Sequence, residues 1–171
     1  MKAFTLIETL VSILIFAIIV MSIFLVMSIG QRSWFTGDAS MEIRQQLIIA
    51  ITRMNSELSE TNSAQTNLTA DVPAFSITFK IPHDNNGDGT VVDTLGNIEW
   101  STPITYARDA SNNLIRTYAG VSSIIGRDIS FLQFTNTQSR LIQVDITAQK
   151  TDNTGKLLQD VEQSIIKMRN Q

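Results

Sequence analysis

The sequence predicts an α+β protein in which one long N-terminal helix, its first half transmembrane, packs on a C-terminal antiparallel β-sheet domain. Three observations predict this fold. An apolar stretch opens the chain, an amphipathic helical pattern follows it, and after Pro73 apolar residues recur at every second position. A sheet with one apolar face needs a covering element, and the amphipathic helix is the expected cover.

The apolar stretch runs over 21 residues, from Thr9 to Ile29. At about 1.5 Å per residue it covers roughly 30 Å, the thickness of a bilayer hydrocarbon core. A cleaved secretory signal has a shorter apolar region and a small-residue exit site, and neither is found here. We therefore interpret the stretch as a retained single-pass anchor. The flanking charges, Lys2 and Arg32, nearly balance and leave its orientation open.

One charged residue stands inside the N-terminal apolar region. Glu8 is the only charged residue between Phe4 and Ile29. A carboxylate at the mouth of a membrane segment is costly without a partner, so Glu8 is expected to serve a function.

The string around Glu8, Ala3-Phe4-Thr5-Leu6-Ile7-Glu8, resembles the processing site of type IV pilins and of the pseudopilins of type II secretion. The resemblance implies that a prepilin peptidase cuts between Ala3 and Phe4 and methylates the new N-terminal Phe4. It also implies an assembly contact at Glu8, with Thr5 beside it, in which the carboxylate pairs with the N-terminal amine of a neighbouring subunit. A close ammonium removes much of the cost of a carboxylate in a low-dielectric medium.

Two positions depart from the commonest pattern of the family. Ala3 stands where glycine is usual, and Leu25 stands where many major subunits have proline. Without that proline nothing forces a kink in the helix, which favours a minor subunit. An ordinary signal anchor is the alternative interpretation of this N-terminus.

The domain organisation follows from these patterns. Residues 1–3 are expected to be a leader peptide, 4–29 the transmembrane and assembly helix, 30–60 its amphipathic continuation, and 61–171 a globular β-rich domain. The net charge of −3 and the lack of a basic cluster disfavour nucleic-acid binding. The chain has no cysteine and one histidine, His83, in a polar turn, so we expect no enzyme activity.

The helix is predicted to run from about Thr5 to about Glu60. Its apolar stripe consists of four residues spaced by four, three and four positions and joined by Ile48: Leu47, Ile51, Met54 and Leu58. Arg53 and Glu57 are expected on the opposite, polar face as an i,i+4 pair. The stripe is either a subunit contact or the seat of the chain's own sheet, and we favour the second.

Six strands are predicted in the remainder of the chain: Phe75–Ile81, Ile98–Ala107, Leu114–Tyr118, Ile129–Phe134, Leu141–Gln149 and Leu157–Met168. Parts of this half, such as Ile104-Thr105-Tyr106 and Val144-Asp145-Ile146-Thr147, are similar to stretches of minor pseudopilins and pilin-like proteins of the J or W type.

An acidic turn matches the opening of a calcium loop, with Asp84, Asn86 and Asp88 at alternate positions before Gly89. Thr90 could add a carbonyl oxygen and Asp93 a late carboxylate. Position twelve, where a helix-loop-helix site needs glutamate, is Leu95. The alternative is a turn that binds no metal, since Asn, Asp and Gly favour turns by themselves. Calcium is the only cofactor suggested, and none is required.

The expected function is that of a filament subunit. A minor pilin or pseudopilin would be processed by the prepilin peptidase and would contact other subunits, an inner-membrane assembly platform and the membrane. Its globular domain would lie outside the cytoplasm. One alternative is a surface-fibre subunit for adhesion or DNA capture, using exposed residues among Tyr106, Arg108, Arg116 and Tyr118. Another is a membrane-anchored enzyme or sensor unrelated to filaments.

Overall fold

A computed structural model describes residues 5–138 and 140–169 of the chain. Helix α1 is continuous from Leu6 to Leu58, 53 residues or about 80 Å. Thr5 is its N-cap and Ser59 its C-cap, whose N–H donates to the Asn55 carbonyl. The first half of α1 is fully exposed in the isolated chain and is long and apolar enough to cross a membrane. The predicted helix is confirmed to within two residues at each end.

The second half of α1 lies on the sheets. Its buried apolar residues recur every three or four positions along one face: Ala39, Ile43, Leu47, Ala50, Met54 and Leu58. The predicted seat of the chain's own sheet is thus confirmed for Leu47, Met54 and Leu58, and Ile51 is only half-buried.

Two details of the predicted helix surface are wrong. Ile48 does not join the buried stripe, because it points about 100° away from Leu47 around the helix and is 59% exposed. Glu57 does not lie on the polar face but is buried, with 7% of its surface exposed, because polar partners from the sheet meet it there.

In the part of the chain that the structure describes, seven strands form two antiparallel sheets, where the sequence suggested one. The first sheet has the order β1-β2-β3-β4, with bounds Ser76–Phe79, Ile104–Arg108, Leu114–Tyr118 and Val121–Gly126. The second has the order β5-β6-β7, with bounds Ile129–Gln138, Leu141–Thr151 and Leu157–Lys167.

Strand β4 was not predicted, because it is an edge strand without apolar alternation, with Val121 71% exposed. The predicted strand at Ile98 begins only at Ile104. Pro103 interrupts it, and Trp100 makes a single bridge to Pro82 instead.

The two sheets and the helix enclose one core. Phe79 and Tyr106 stack with ring centroids 5.6 Å apart, and Met54 of the helix is completely buried in the same cluster. At the end of β4 the backbone comes so close to the helix that a Cβ on Gly126 would lie 3.4 Å from the Ala50 Cβ. The second half of α1 is therefore an integral part of the globular domain.

Hydrogen bonds tie the sheets to α1 at both ends of the domain. At the base, the Thr36 hydroxyl donates to Asp152 Oδ2 over 2.8 Å, in the turn between β6 and β7. At the top, the Arg169 N–H donates to the Ser59 carbonyl over 2.9 Å. Strand β7 therefore ascends along the helix from the level of Thr36 to its C-terminal end.

Candidate assembly and ion-binding sites

Glu8 and Thr5 form a capping box at the start of α1. The Thr5 N–H and the Thr5 hydroxyl both donate to Glu8 Oε2, each over 2.9 Å, and the Glu8 N–H approaches the Thr5 hydroxyl at 3.4 Å. This arrangement satisfies two of the amide donors that a helix start leaves unpaired. Thr5 and Glu8, predicted together from the sequence, are thus in direct contact within one chain.

The second Glu8 oxygen has a different environment. Within residues 5–138 and 140–169, Oε1 has no hydrogen-bond partner. The neighbouring Ile7 and Val11 side chains are apolar and exposed, and the Ser12 hydroxyl donates to the Glu8 carbonyl oxygen. A carboxylate can accept about four hydrogen bonds. Glu8 therefore keeps capacity for a cationic partner while it caps its own helix. The predicted cleavage site, Ala3 and Phe4, lies outside the described residues.

A buried polar cluster joins the helix to the first sheet, and sequence reasoning missed it. Arg116 Nε lies 2.9 Å from Glu57 Oε2, to which the Tyr106 hydroxyl also donates over 2.8 Å. Burial and then the Glu57 charge raise the pKa of Tyr106 well above its usual value. The Arg116 guanidinium also lies 5.2 Å from the centre of the Tyr118 ring. The cluster stabilises the domain. The sequence feature that could have revealed it is Glu57 itself, a glutamate directly before the apolar Leu58.

Three of the four residues considered for adhesion or DNA capture belong to this cluster or contact it. Tyr106 is fully buried, and Arg116 and Tyr118 are engaged with each other and partly buried. Arg108 is exposed and donates to Asn112 Oδ1 over 2.6 Å. The four side chains therefore do not form one exposed strip. A different aromatic pair does reach the surface: Phe75 and Phe131 meet edge to face at 6.4 Å and are 68% and 40% exposed.

The acidic turn closes on itself through side-chain to backbone hydrogen bonds. Asp84 accepts from the Gly87 and Gly89 amides over 2.6 and 2.8 Å. Asp88 accepts from the Thr90 hydroxyl and amide, each over 2.8 Å, and these bonds lower the pKa of Asp88. Such bonds are characteristic of Asx turns.

Two residues change the predicted ligand set. Asp93 does not face the turn but accepts from the Leu95 and Asn97 amides in the next turn, each over 2.8 Å. Glu99, which the sequence did not single out, accepts from the Asn85 amide over 2.7 Å and from the Asn86 side chain over 3.0 Å. Glu99 could have been found from the sequence only by pairing its segment with the residues that precede the turn, as in the His83 N–H to Glu99 carbonyl bond.

Asp84, Asn86 and Asp88 therefore take part in the hydrogen bonds of one turn, and Asp93 in those of the next. Among the residues that the structure describes, no group of three or more His, Cys, Asp or Glu side chains is arranged to hold a metal ion. Calcium also binds asparagine and carbonyl oxygens, which this turn offers at Asn86 and Thr90. Calcium binding at this turn stays a prediction.

The single histidine lies beside the same turn. His83 is exposed, and its Nδ1 is 2.9 Å from the Asp84 carbonyl oxygen.

Comparison of the chain with protein-family models, with curated proteins and with solved structures gave no match.

Proposed function

We propose that this chain is a minor subunit of a type IV pilin-like filament, without chemistry of its own. In this proposal a prepilin peptidase removes residues 1–3 and methylates Phe4. The anchored chain then takes part in initiating or assembling a type II secretion pseudopilus or a type IV pilus. Its partners are other subunits and an inner-membrane assembly platform, and its globular domain lies outside the cytoplasm.

The observation that carries this proposal is one carboxylate at the start of a continuous helix that is long enough to cross a membrane and to enter a folded domain. Glu8 Oε2 is used by Thr5 of its own chain, whereas Oε1 has no partner among the described residues. A neighbouring subunit's ammonium, placed at Oε1, would offset the cost of a charge among lipid tails. The capping box would hold the carboxylate ready for that contact.

The first test is the mass of the N-terminus. The chain is expressed in cells that have a prepilin peptidase and in cells that lack it. We expect a methylated N-terminal Phe4 only in the first, because the cut falls after Ala3. An intact Met1 in both strains would rule out processing and favour the unrelated membrane-anchored protein.

The second test separates the two roles of Glu8. Glu8→Gln removes the charge but keeps an oxygen for Thr5, and Thr5→Val removes the hydroxyl but keeps the charge. We expect Glu8→Gln to impair incorporation into filaments, Thr5→Val to impair it less, and both to leave the globular domain folded. Incorporation of Glu8→Gln at the wild-type level would refute the ammonium pairing.

Adhesion is a second candidate function, favoured by the exposed Phe75 and Phe131 pair. Replacing both rings by serine would then abolish attachment of assembled fibres without changing their number. Unchanged attachment would refute adhesion through this pair, and only the assembly role would then remain.

Calcium binding belongs to the same proposal as an accessory property of the domain. Calorimetry with calcium chloride, on the wild type and on Asp84→Asn/Asp88→Asn, tests it. We expect heat of binding only in the wild type, with a dissociation constant near the millimolar values of weak extracellular sites. Absence of heat in the wild type at millimolar calcium would refute the site.

A further inference from the structure

Three successive residues of α1, just beyond the apolar stretch, differ sharply in what surrounds them. Trp34 is 77% exposed, Phe35 is 44% exposed, and Thr36 holds the β6–β7 turn through Asp152. Successive residues of a helix point about 100° apart. Trp34, Phe35 and the turn on Thr36 therefore surround the helix on three sides, and we call this ring the collar.

The height of the collar follows from the length of the helix. Trp34 lies five residues beyond Ile29, where the apolar stretch ends, or about 7.5 Å along the axis. The headgroup region adds about 5–7 Å on each side of the hydrocarbon core. Helical side chains also tilt towards the N-terminus, which returns the indole towards the bilayer. The Trp34 ring therefore reaches the headgroup layer.

The same arithmetic limits what lipid can cover. Met41 is 74% exposed, but it lies twelve residues beyond Ile29, or about 18 Å, and therefore above the headgroups. The turn on Thr36 lies about 10 Å beyond Ile29, at the outer surface of the headgroup layer.

The chemistry of the collar suits this layer. Indole rings favour the membrane interface because they are apolar over most of their surface and carry one N–H donor. Arg32 and Lys156, both exposed, add cations at the same level, which attract anionic headgroups. Asp152 is buried among its hydrogen bonds and presents no open charge there.

We propose that the collar binds the lipid headgroup layer, with the Trp34 ring embedded in it and the β6–β7 turn resting on its surface. The globular domain then stands directly on the membrane, without a stalk between them. This inference rests on the membrane span of the proposed function and not on processing or filament assembly.

Tryptophan fluorescence tests the proposal, because the chain has only two tryptophans. Trp100→Phe leaves Trp34 alone, and Trp34→Phe leaves Trp100 as the matched control. Each full-length variant is reconstituted into vesicles of phosphatidylcholine and phosphatidylglycerol, with and without lipid brominated near the glycerol backbone. We expect Trp34 to lose most of its emission to the brominated lipid and Trp100 to keep its emission.

A third variant calibrates the height. Met41→Trp, in a chain that lacks both native tryptophans, should be quenched by aqueous iodide and not by brominated lipid. If Trp34 behaves in the same way, it faces water and the proposal is wrong. If Trp34 is shielded from both quenchers, protein covers it and the proposal is equally wrong.

Flotation of the vesicles after an alkaline wash separates this inference from the proposed function. A chain that floats but shows no quenching of Trp34 overturns the collar alone. A chain that fails to float lacks the membrane span, and both proposals then fail.

Discussion

Glu57 joins the helix to the first sheet through polar contacts. Its carboxylate accepts from Tyr106 and Arg116 inside the domain and pairs with Arg53 at the surface over 2.6 Å. Hydrogen bonds to charged groups contribute more than neutral ones, and a buried charge that loses its partner is strongly destabilising. The two ion pairs of Glu57 should therefore differ in strength, since Arg116 is 17% exposed and Arg53 is 53% exposed.

We predict that Glu57→Gln lowers the free energy of unfolding by about 2 kcal/mol, because the Arg116 guanidinium loses its counter-charge. Arg53→Gln is the control, with an expected loss of no more than about 0.5 kcal/mol. Urea denaturation of the fragment 31–171 gives both values. Equal losses in the two variants would contradict the distinction between the buried and the exposed pair.

Asp152 makes the free energy of unfolding of the domain depend on pH in the acidic range. The Thr154 hydroxyl above all, and then the Thr36 hydroxyl, lower the pKa of Asp152 from 3.8 to about 2, although burial opposes them. A lowered pKa stabilises the folded state above the ordinary value. That stabilisation is lost as the pH falls from about 3.8 through about 2.

We predict that Asp152→Asn is less stable than the wild type at neutral pH and loses less stability between about pH 4 and pH 2. Thermal unfolding followed across this range measures both effects. Thr36→Val should show a smaller change in the same direction, because the Thr154 bonds remain. Parallel pH profiles for wild type and Asp152→Asn would exclude the assigned cause.

At the scale of elements, α1 has neighbouring residues with opposite environments. Leu47 is 2% exposed and packs in the core, whereas Ile48 is 59% exposed. Periodicity alone placed both residues in the apolar stripe, because the sequence does not say which side of the stripe the sheets occupy.

We predict that Leu47→Ala costs about 3 kcal/mol of stability through the cavity it leaves. Ile48→Ala should change stability by less than about 0.5 kcal/mol, since an exposed side chain loses little packing. Urea midpoints of the fragment 31–171 compare the two variants. Comparable losses would mean that Ile48 is covered in solution.

Much of the fold could be predicted from the pattern of single elements. Leu141–Gln149 alternates cleanly, and it lies within β6, Leu141–Thr151. The separation into two sheets could not be predicted, because alternation assigns a face to each residue but does not assign strands to sheets. The burial of Glu57 could not be predicted for a similar reason. Its partners, Tyr106 and Arg116, are 49 and 59 positions away in the sequence.

At the scale of the whole molecule, the core includes only the second half of the helix. Buried residues of α1 begin at Ala39, and the first hydrogen bond from the sheets to α1 is at Thr36. The membrane span therefore contributes nothing to the packing of the domain.

We predict that the fragment 31–171 is folded, soluble and monomeric, because its apolar stripe is covered by its own sheets. Size-exclusion chromatography with light scattering and circular dichroism test this. Aggregation would identify exposed apolar residues of the helix, such as Trp34, Met41 and Ile48, as a surface that needs a partner. A soluble but unfolded fragment would show that the span is needed for folding.

The candidate sites divide according to how far apart in the sequence their residues lie. Thr5 and Glu8 are three positions apart and contact each other within the chain, and Asn86 and Asp88 of the acidic turn do the same. The hydrogen-bond partners of Asp93 and Glu99 could not be predicted, because the direction of a carboxylate depends on the turn that its own neighbours make.

The hydrogen-bonded contacts at the two ends of the domain, one at Thr36 and one at Ser59, have a mechanical consequence. Because α1 is unbroken between Leu6 and Leu58, the folded body has no joint that separates its motion from that of the span. If the proposed assembly function draws the span out of the bilayer, the sheets rise by the same distance and turn through the same angle. The domain and the span then move as one rigid body.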